Sequence, residues 1–272
     1  MSPFRLEAYL RRIGHPGPCA PTLATLAAVH RAHANAIAFE NLDPWLGRPV
    51  LLNPDALHRK LIEQQRGGYC YEHNLLLGEA LKALGFGVTN LAARVLWNVP
   101  AQTLRPRTHM LLRVLIGAER HVVDAGFGGL TLTGPLRLDL RSPQATPHGV
   151  FRLDRAGAEY VMEADVGGAW KPLYSFDLQP QTLADYELAS WYLCHHPDSL
   201  FRNTLIAARA TPQGRLALRD RHFVSYPLAG APATHSLASA GEMRAVLEER
   251  FGLRTDGLPG LDERLERLVA PA

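Results

Sequence analysis

The sequence predicts an α+β protein, and three observations predict it. Through about residue 85 the apolar residues recur at helical spacing. From Thr89 the period shortens towards two, and short strand-like runs alternate with Gly-containing turns. From Leu183 the helical spacing returns, followed by a mixture of strands and one more helix. A helical first part, a barrel or sandwich of regularly spaced strands, and a mixed last part follow from this order.

Each element has its own signal. Phe4 to Arg12 reads as a short amphipathic helix stopped by Gly14 and Pro16. Thr22 to Ala36 reads as a second helix, with Leu23, Leu26, Ala27 and His30 on one face, and Phe39 to Pro44 as loop. Asn53-Pro54 supplies an N-cap and a first-turn proline for a helix reaching about Gln64. A buried helix then runs from the region of Cys70 to Leu84 and closes at Gly85. Thr89–Trp97 suits a strand, and Met110–Ile116 with His121–Asp124 reads as a hairpin around Gly117–Arg120. Further strands are expected at Gly149–Leu153, Glu159–Glu163 and Trp170–Phe176. Leu183 to Cys194 returns to helix and ends at His196-Pro197-Asp198. Two or three strands lie between Phe201 and Tyr226, Pro227–Pro232 is loop, and Ser239 with Glu242 opens a last helix to Phe251.

The totals bound the function. At 272 residues the chain has room for one large domain or two to three small ones. Its 47% hydrophobic and 20% charged content is that of an ordinary soluble globular protein. A net charge of +3 is compatible with an anionic small ligand and too weak to argue for nucleic acid. Three cysteines, Cys19, Cys70 and Cys194, imply no disulfide framework and suit reduced, cytoplasmic thiols. No secretory leader and no apolar run near the ~18 residues of a membrane span is visible.

The chemistry gathers at Arg66-Gly67-Gly68-Tyr69-Cys70-Tyr71-Glu72-His73-Asn74. Two glycines let the backbone turn sharply, and a cysteine in the first turn of a helix meets unpaired N–H groups and the positive end of the dipole. That arrangement favours a nucleophilic thiolate, although a small buried hydrophobe is the alternative use of such a cysteine. A thiolate nucleophile needs a base, and the base needs an orienting group. Among 12 histidines His109 stands out, at the mouth of a strand after the loop Pro100–Arg107. Asp124 ends the partner strand, and pairing about a turn near residue 117 brings the two nearly opposite. Taken singly, His109 could be a surface histidine and Asp124 a turn residue. Cys19 and Cys194 read as structural. His195-His196 has no matching cysteine or carboxylate spacing, so no metal is expected. Gly126-Phe127-Gly128-Gly129 follows a strand with no helix behind it and is neither a dinucleotide fingerprint nor a P-loop.

Together, Arg66–Asn74, Thr108-His109-Met110 and Val123–Gly129 resemble the arylamine N-acetyltransferase family in residue order and separation. Ala38-Phe39-Glu40-Asn41-Leu42 and Pro197–Phe201 add to the resemblance, which covers residues 1–205 well and the remainder weakly. It implies a helical bundle (1–85), a central β-barrel (86–182) and a C-terminal α/β lid (183–272), the first two forming a cysteine-protease-like core. It implies acetyl-CoA as co-substrate, arylamines and hydrazines as acceptors, ping-pong transfer through a cysteine thioester, and no metal. Cys70, His109 and Asp124 match the nucleophile, base and orienter. Glu40 and Arg66 match a pair bracing the active-site loop, and Phe39, Val95, Thr108 and Phe127 match a pocket lining. Two departures are Cys194-His195-His196 in place of the Ser-Thr that usually precedes Pro197, and Ala125 in place of valine. Other uses of the same scaffold are a macrolactam-forming amide synthase, a Cys-His-Asp hydrolase or transglutaminase, and a non-enzymatic binding protein.

Overall fold

Local signals shape the helical part of the chain. The structure, a computed structural model, describes residues 4–17, 19–100 and 103–270. Helix α1 (Leu6–Ile13) stops at Gly14, which takes a φ of 64° that an L side chain resists. The Thr22 hydroxyl accepts the Thr25 N–H at 3.2 Å and caps α2 (Leu23–Ala36). Leu26 and His30 of α2 are buried, whereas Leu23, expected beside them, is 45% exposed at the first helical position. The expected loop at 39–44 is instead strand β1 (Phe39–Glu40) followed by the single turn α3 (Leu42–Trp45). That strand depends on a distant partner, since Phe39 pairs with Ala208 and Glu40 with Ala207. Asn53 caps α4 (Pro54–Leu57) by accepting the Ala56 N–H at 2.9 Å, and the helix then widens into π turns over His58–Glu63. Helix α5 (Cys70–Ala83) follows.

The middle of the chain contributes eight antiparallel strands: β2 (Gly87–Val95), β3 (Arg107–Ile116), β4 (Glu119–Val123), β5 (Leu136–Arg137), β6 (Gln144–Thr146), β7 (Gly149–Ala156), β8 (Glu159–Val166) and β9 (Ala169–Phe176). They form one sheet in the order β5-β4-β3-β2-β9-β8-β7-β6, curled into an almost closed barrel rather than a sandwich. Its interior holds Leu91, Leu111, Phe151, Met162 and Phe176, all essentially free of solvent. The β3–β4 hairpin turns at Gly117-Ala118, with Ile116 opposite Glu119. This register corrects the expected one: Leu112 faces Val123, so a continued ladder would put Asp124 beside Leu111 and two residues from His109. His109 and Asp124 therefore meet on a diagonal, within reach of two mid-length side chains.

The last part begins with α6 (Leu183–His195) and α7 (Leu200–Asn203). Strands β10 (Ile206–Thr211), β11 (Gly214–Arg219), β12 (His222–Pro227) and β13 (Ala233–Ser236) form a second antiparallel sheet that β1 completes in the order β1-β10-β11-β12-β13. Ser239 caps α8 (Ala240–Ala245), which continues as π turns to Arg250. A helix that the sequence reading lacked, α9 (Leu261–Val269), packs Leu261 and Leu265 onto Phe251, Leu218 and the early residues Ala38, Leu42 and Trp45. The buried Arg215 ties this sheet to the barrel by donating to the carbonyls of Gly129, Thr131 and His148 at 3.1, 2.9 and 3.0 Å. Among the described residues no helix is long and apolar enough to cross a membrane.

Candidate active site

The loop before Cys70 is pressed against residues 38–40. Phe39 bridges Gly68 in parallel, and Glu40 N–H donates to the Gly68 carbonyl at 2.8 Å. A Cβ on Gly67 would overlap the Ala38 carbonyl oxygen, so only glycine permits this approach. Arg66 donates to Glu40 Oε1 from Nε at 2.9 Å and from Nη2 at 2.6 Å, while Glu40 Oε2 accepts the Leu42 N–H at 2.6 Å. Lys60 Nζ lies 2.7 Å from both Asp43 Oδ2 and Glu72 Oε1. Glu72 Oε2 in turn accepts the Tyr69 N–H at 3.1 Å and so caps the start of α5. Burial works against charge on Lys60 and Arg66, but the surrounding carboxylates raise the pKa of both. Burial pushes the Glu72 carboxyl up to about 7, although Lys60 pulls it down.

At the helix start, Cys70 is buried and its thiol faces the Thr108 carbonyl at 3.6 Å. His109 Nε2 donates to Asp124 Oδ2 at 2.7 Å, and Cys70 is close enough to the ring to help raise its pKa. With Nε2 engaged by the carboxylate, Nδ1 is the nitrogen available to sulfur. Asp124 uses its second oxygen fully: Oδ1 accepts from Asn74 Nδ2 at 3.0 Å and from the Gly126 N–H at 2.8 Å. Asn74, one helical turn after Cys70, also donates to the Met110 carbonyl at 2.7 Å and accepts the Ala125 N–H at 3.1 Å. One amide thus ties the cysteine's helix to both strands carrying the imidazole and the carboxylate. Gly126 permits the close fit, since a Cβ there would sit 2.6 Å from Cys70 Cα. Burial alone would lower the His109 pKa; Asp124, with Cys70 adding, overrides it and raises it to about 10. Burial likewise opposes charge on Asp124, but His109, Asn74 and Gly126 hold its pKa below the usual carboxylate range. The arrangement pairs a thiol with a base in a water-poor site, the requirement for transferring an acyl group through sulfur.

The other expected residues surround this centre. The Phe127 ring meets His109 edge-on at 5.2 Å, and Tyr174, which sequence reasoning missed, lies 4.8 Å from the same imidazole. Val95 faces Tyr174 across the β2–β9 ladder, Thr108 immediately precedes His109, and Phe39 packs against Phe201 at 5.9 Å. Cys194 is buried beside the Tyr69 hydroxyl at 3.6 Å, and Cys19 is exposed. His195 and His196 stack on Trp191 and Tyr192. Among the described residues no group of three or more His, Cys, Asp or Glu is placed to hold a metal ion. Asn74, Glu72, Lys60 and Asp43 were given no role from sequence. Asn74 and Glu72 carried a readable signal, at the fourth residue after the cysteine and at the third helical position. Lys60 and Asp43 carried none, because only the fold brings them together.

Residues 22–258 match a sequence family described as N-acetyltransferase. The chain is 43% identical over 261 residues to an arylamine N-acetyltransferase of Mycolicibacterium smegmatis, covering 94% of each chain. It is 40% identical over 258 residues to an arylamine N-acetyltransferase of Escherichia coli K12, covering 94% of this chain and 91% of the relative. Among solved structures, the arylamine N-acetyltransferase of Mycobacterium marinum in complex with CoA superposes with a TM-score of 0.93 at 38% identity, over 97% of this chain and 100% of the other.

Proposed function

The chain belongs to the arylamine N-acetyltransferase family, and on that premise we propose that it moves an acetyl group from acetyl-CoA to arylamines, arylhydrazines and related acceptors through a thioester on Cys70. The observation that carries this reading is Cys70 at the start of α5, buried against the residue before His109, with His109 held by Asp124 at 2.7 Å.

The Cys70 thiol passes its proton to His109, and its sulfur attacks the acetyl carbonyl of acetyl-CoA. The oxyanion that forms meets backbone N–H groups at the start of α5, which have no intrahelical acceptor. The carbon–sulfur bond to coenzyme A breaks, and His109 returns a proton to the departing thiolate. The amine then attacks the acetyl-cysteine. His109 takes the amine proton as the C–N bond forms, and the Cys70 sulfur leaves. Asp124 holds the imidazole tautomer and orientation in both halves. Phe39, Val95, Thr108 and Phe127 line the acceptor side, where apolar and aromatic walls suit a flat ring. An arylamine or hydrazine also keeps its lone pair at neutral pH, whereas an aliphatic amine is protonated. The chain works as three units, residues 1–85, 86–182 and 183–272, in the cytoplasm. No observation favours the macrolactam-forming, hydrolytic or non-enzymatic alternatives.

The test is to mix the enzyme with p-nitrophenyl acetate without acceptor and weigh the intact protein and its peptides. One acetyl group on the peptide holding Cys70 is expected. An acetyl group on Cys19 or Cys194 instead would overturn the assignment.

A further inference from the structure

The mechanism leaves unused a buried polar chain that ends directly behind Phe39. The Tyr9 hydroxyl lies 2.9 Å from His33 Nδ1, His33 Nε2 lies 2.9 Å from His73 Nδ1, and His73 Nε2 lies 3.1 Å from the Ala38 carbonyl oxygen. Tyr9, His33, His73 and Ala38 are all essentially without solvent exposure. For neutral rings, one proton arrangement satisfies the whole chain. The carbonyl can only accept, so His73 Nε2 carries a proton and its Nδ1 accepts. His33 Nε2 must then donate, and His33 Nδ1 accepts from the tyrosine hydroxyl. The chain crosses from α1 through α2 to α5 and delivers one directed donor to the peptide joining Ala38 to Phe39.

The same imidazole supports the Phe39 side chain. The rings of Phe39 and His73 are stacked, with planes 10° apart and centroids at 6.5 Å. The Phe39 ring also meets Phe201 at 5.9 Å and lies beside Gly128, the residue after Phe127. His73 therefore fixes Phe39 twice, once through its backbone and once through its ring.

We propose that His73, backed by His33 and Tyr9, is a positioning residue that sets Phe39 for acceptors carrying an aromatic ring. The proposal rests on the reading of Phe39 as part of the acceptor pocket. It assigns His73 to the second half-reaction and to the ring of the acceptor, not to its nucleophilic nitrogen. A leucine at 73 would leave the Ala38 carbonyl with only the long 3.4 Å bond from the Gly68 N–H, take away the acceptor for the His33 N–H and remove the flat support. A glutamine keeps one donor and one acceptor at similar reach.

The experiment compares wild type, His73→Leu, His73→Gln and Tyr9→Phe in two assays. The first is release of coenzyme A on first mixing with acetyl-CoA. The second is steady-state transfer to phenylhydrazine and to hydrazine, which share a nucleophilic nitrogen and differ in the ring. For His73→Leu the KM for phenylhydrazine is expected to rise roughly three- to tenfold, the scale of a lost aromatic contact. Coenzyme A release and hydrazine turnover are expected within about twofold of wild type, a margin below any single hydrogen bond's usual effect. Glutamine at 73 is expected to restore phenylhydrazine binding. Tyr9→Phe, which is nearly isosteric and keeps the assay usable if His73→Leu fails to fold, is expected to move KM the same way by less. Equal changes for both hydrazines, an unchanged KM for phenylhydrazine in Tyr9→Phe and His73→Leu, or a glutamine variant no better than leucine would overturn the proposal. A wild-type protein that releases no coenzyme A on first mixing would overturn the acetyl-transfer reading itself, and this one with it.

Discussion

His109, on the barrel side of α5, and His73, on its bundle side, are both shut away from water, yet burial has opposite outcomes for their charge. Around His73 the partners are a carbonyl and another neutral imidazole, and burial lowers its pKa to about 4. Around His109 the Asp124 carboxylate, itself held by Asn74 and Gly126, overrides the same penalty and lifts the pKa to about 10. Burial does not decide which histidine carries a proton; the nearest charged partner does. The barrel side therefore holds a base with its proton in place, and the bundle side holds a neutral scaffold.

The largest effect is expected where that partner is removed. Asp124→Asn keeps the shape but takes away the charge, so acetyl transfer should fall by about 10³- to 10⁴-fold, measured as acetyl-CoA-dependent turnover with an unchanged far-ultraviolet circular dichroism spectrum. Near wild-type rates would mean that His109 needs no carboxylate. Next comes the ion-paired lattice beneath the helix start. Glu40→Gln leaves Arg66 buried without its main counter-charge and should cost about 3–5 kcal/mol in urea unfolding.

The two sides also predict opposite pH limits for stability. Histidines held below their ordinary pKa, His30, His33 and His73, resist protons that the unfolded chain binds. Stability should thus fall as pH drops from about 6.5 towards 4, by about 3 kcal/mol for each of His30 and His73. His109 has the reverse sign: its contribution is complete below about 6.5 and is lost as pH rises towards 10. Urea midpoints across this range check both limbs, and a midpoint unchanged between pH 6.5 and 4 would contradict the neutral-scaffold reading. The smallest of these effects is expected for Asn74→Ala. It removes one of two donors to Asp124 Oδ1 and the link to Met110 and Ala125, and should slow transfer by about 10- to 100-fold, one charge-assisted bond. An unchanged rate would show that Gly126 alone suffices.

The sequence made the barrel side more legible than the bundle side. Cys70, His109 and Asp124 each sit at an element end whose signal is local: two glycines before a helix, and the two arms of a hairpin. Counting from the turn missed the register, yet both side chains reach across the diagonal. Glu40 and Arg66 could be named only through family resemblance, and Lys60 and Asp43 not at all, because an ion pair leaves no periodic trace. Strand β1 was unreadable for a related reason: two residues become a strand only when β10 lies beside them. The π turns at His58–Glu63 follow from packing, since Asn53-Pro54 announces the helix start and not its later pitch. Helix α9 was readable in principle, from Leu261, Leu265 and Leu268 after Gly260. His33 and His73 lie 40 positions apart and met only in the fold.

The most direct measurement is a ¹⁵N nuclear magnetic resonance titration of the histidine side chains in the wild-type protein, assigned with His109→Gln and His73→Gln. His109 should remain doubly protonated through neutral pH and lose its proton near pH 10, while His73 stays neutral and protonated at Nε2 down to about pH 4. A His109 that titrates at or below 6.5, the ordinary histidine value, would contradict the claim that Asp124 overrides burial.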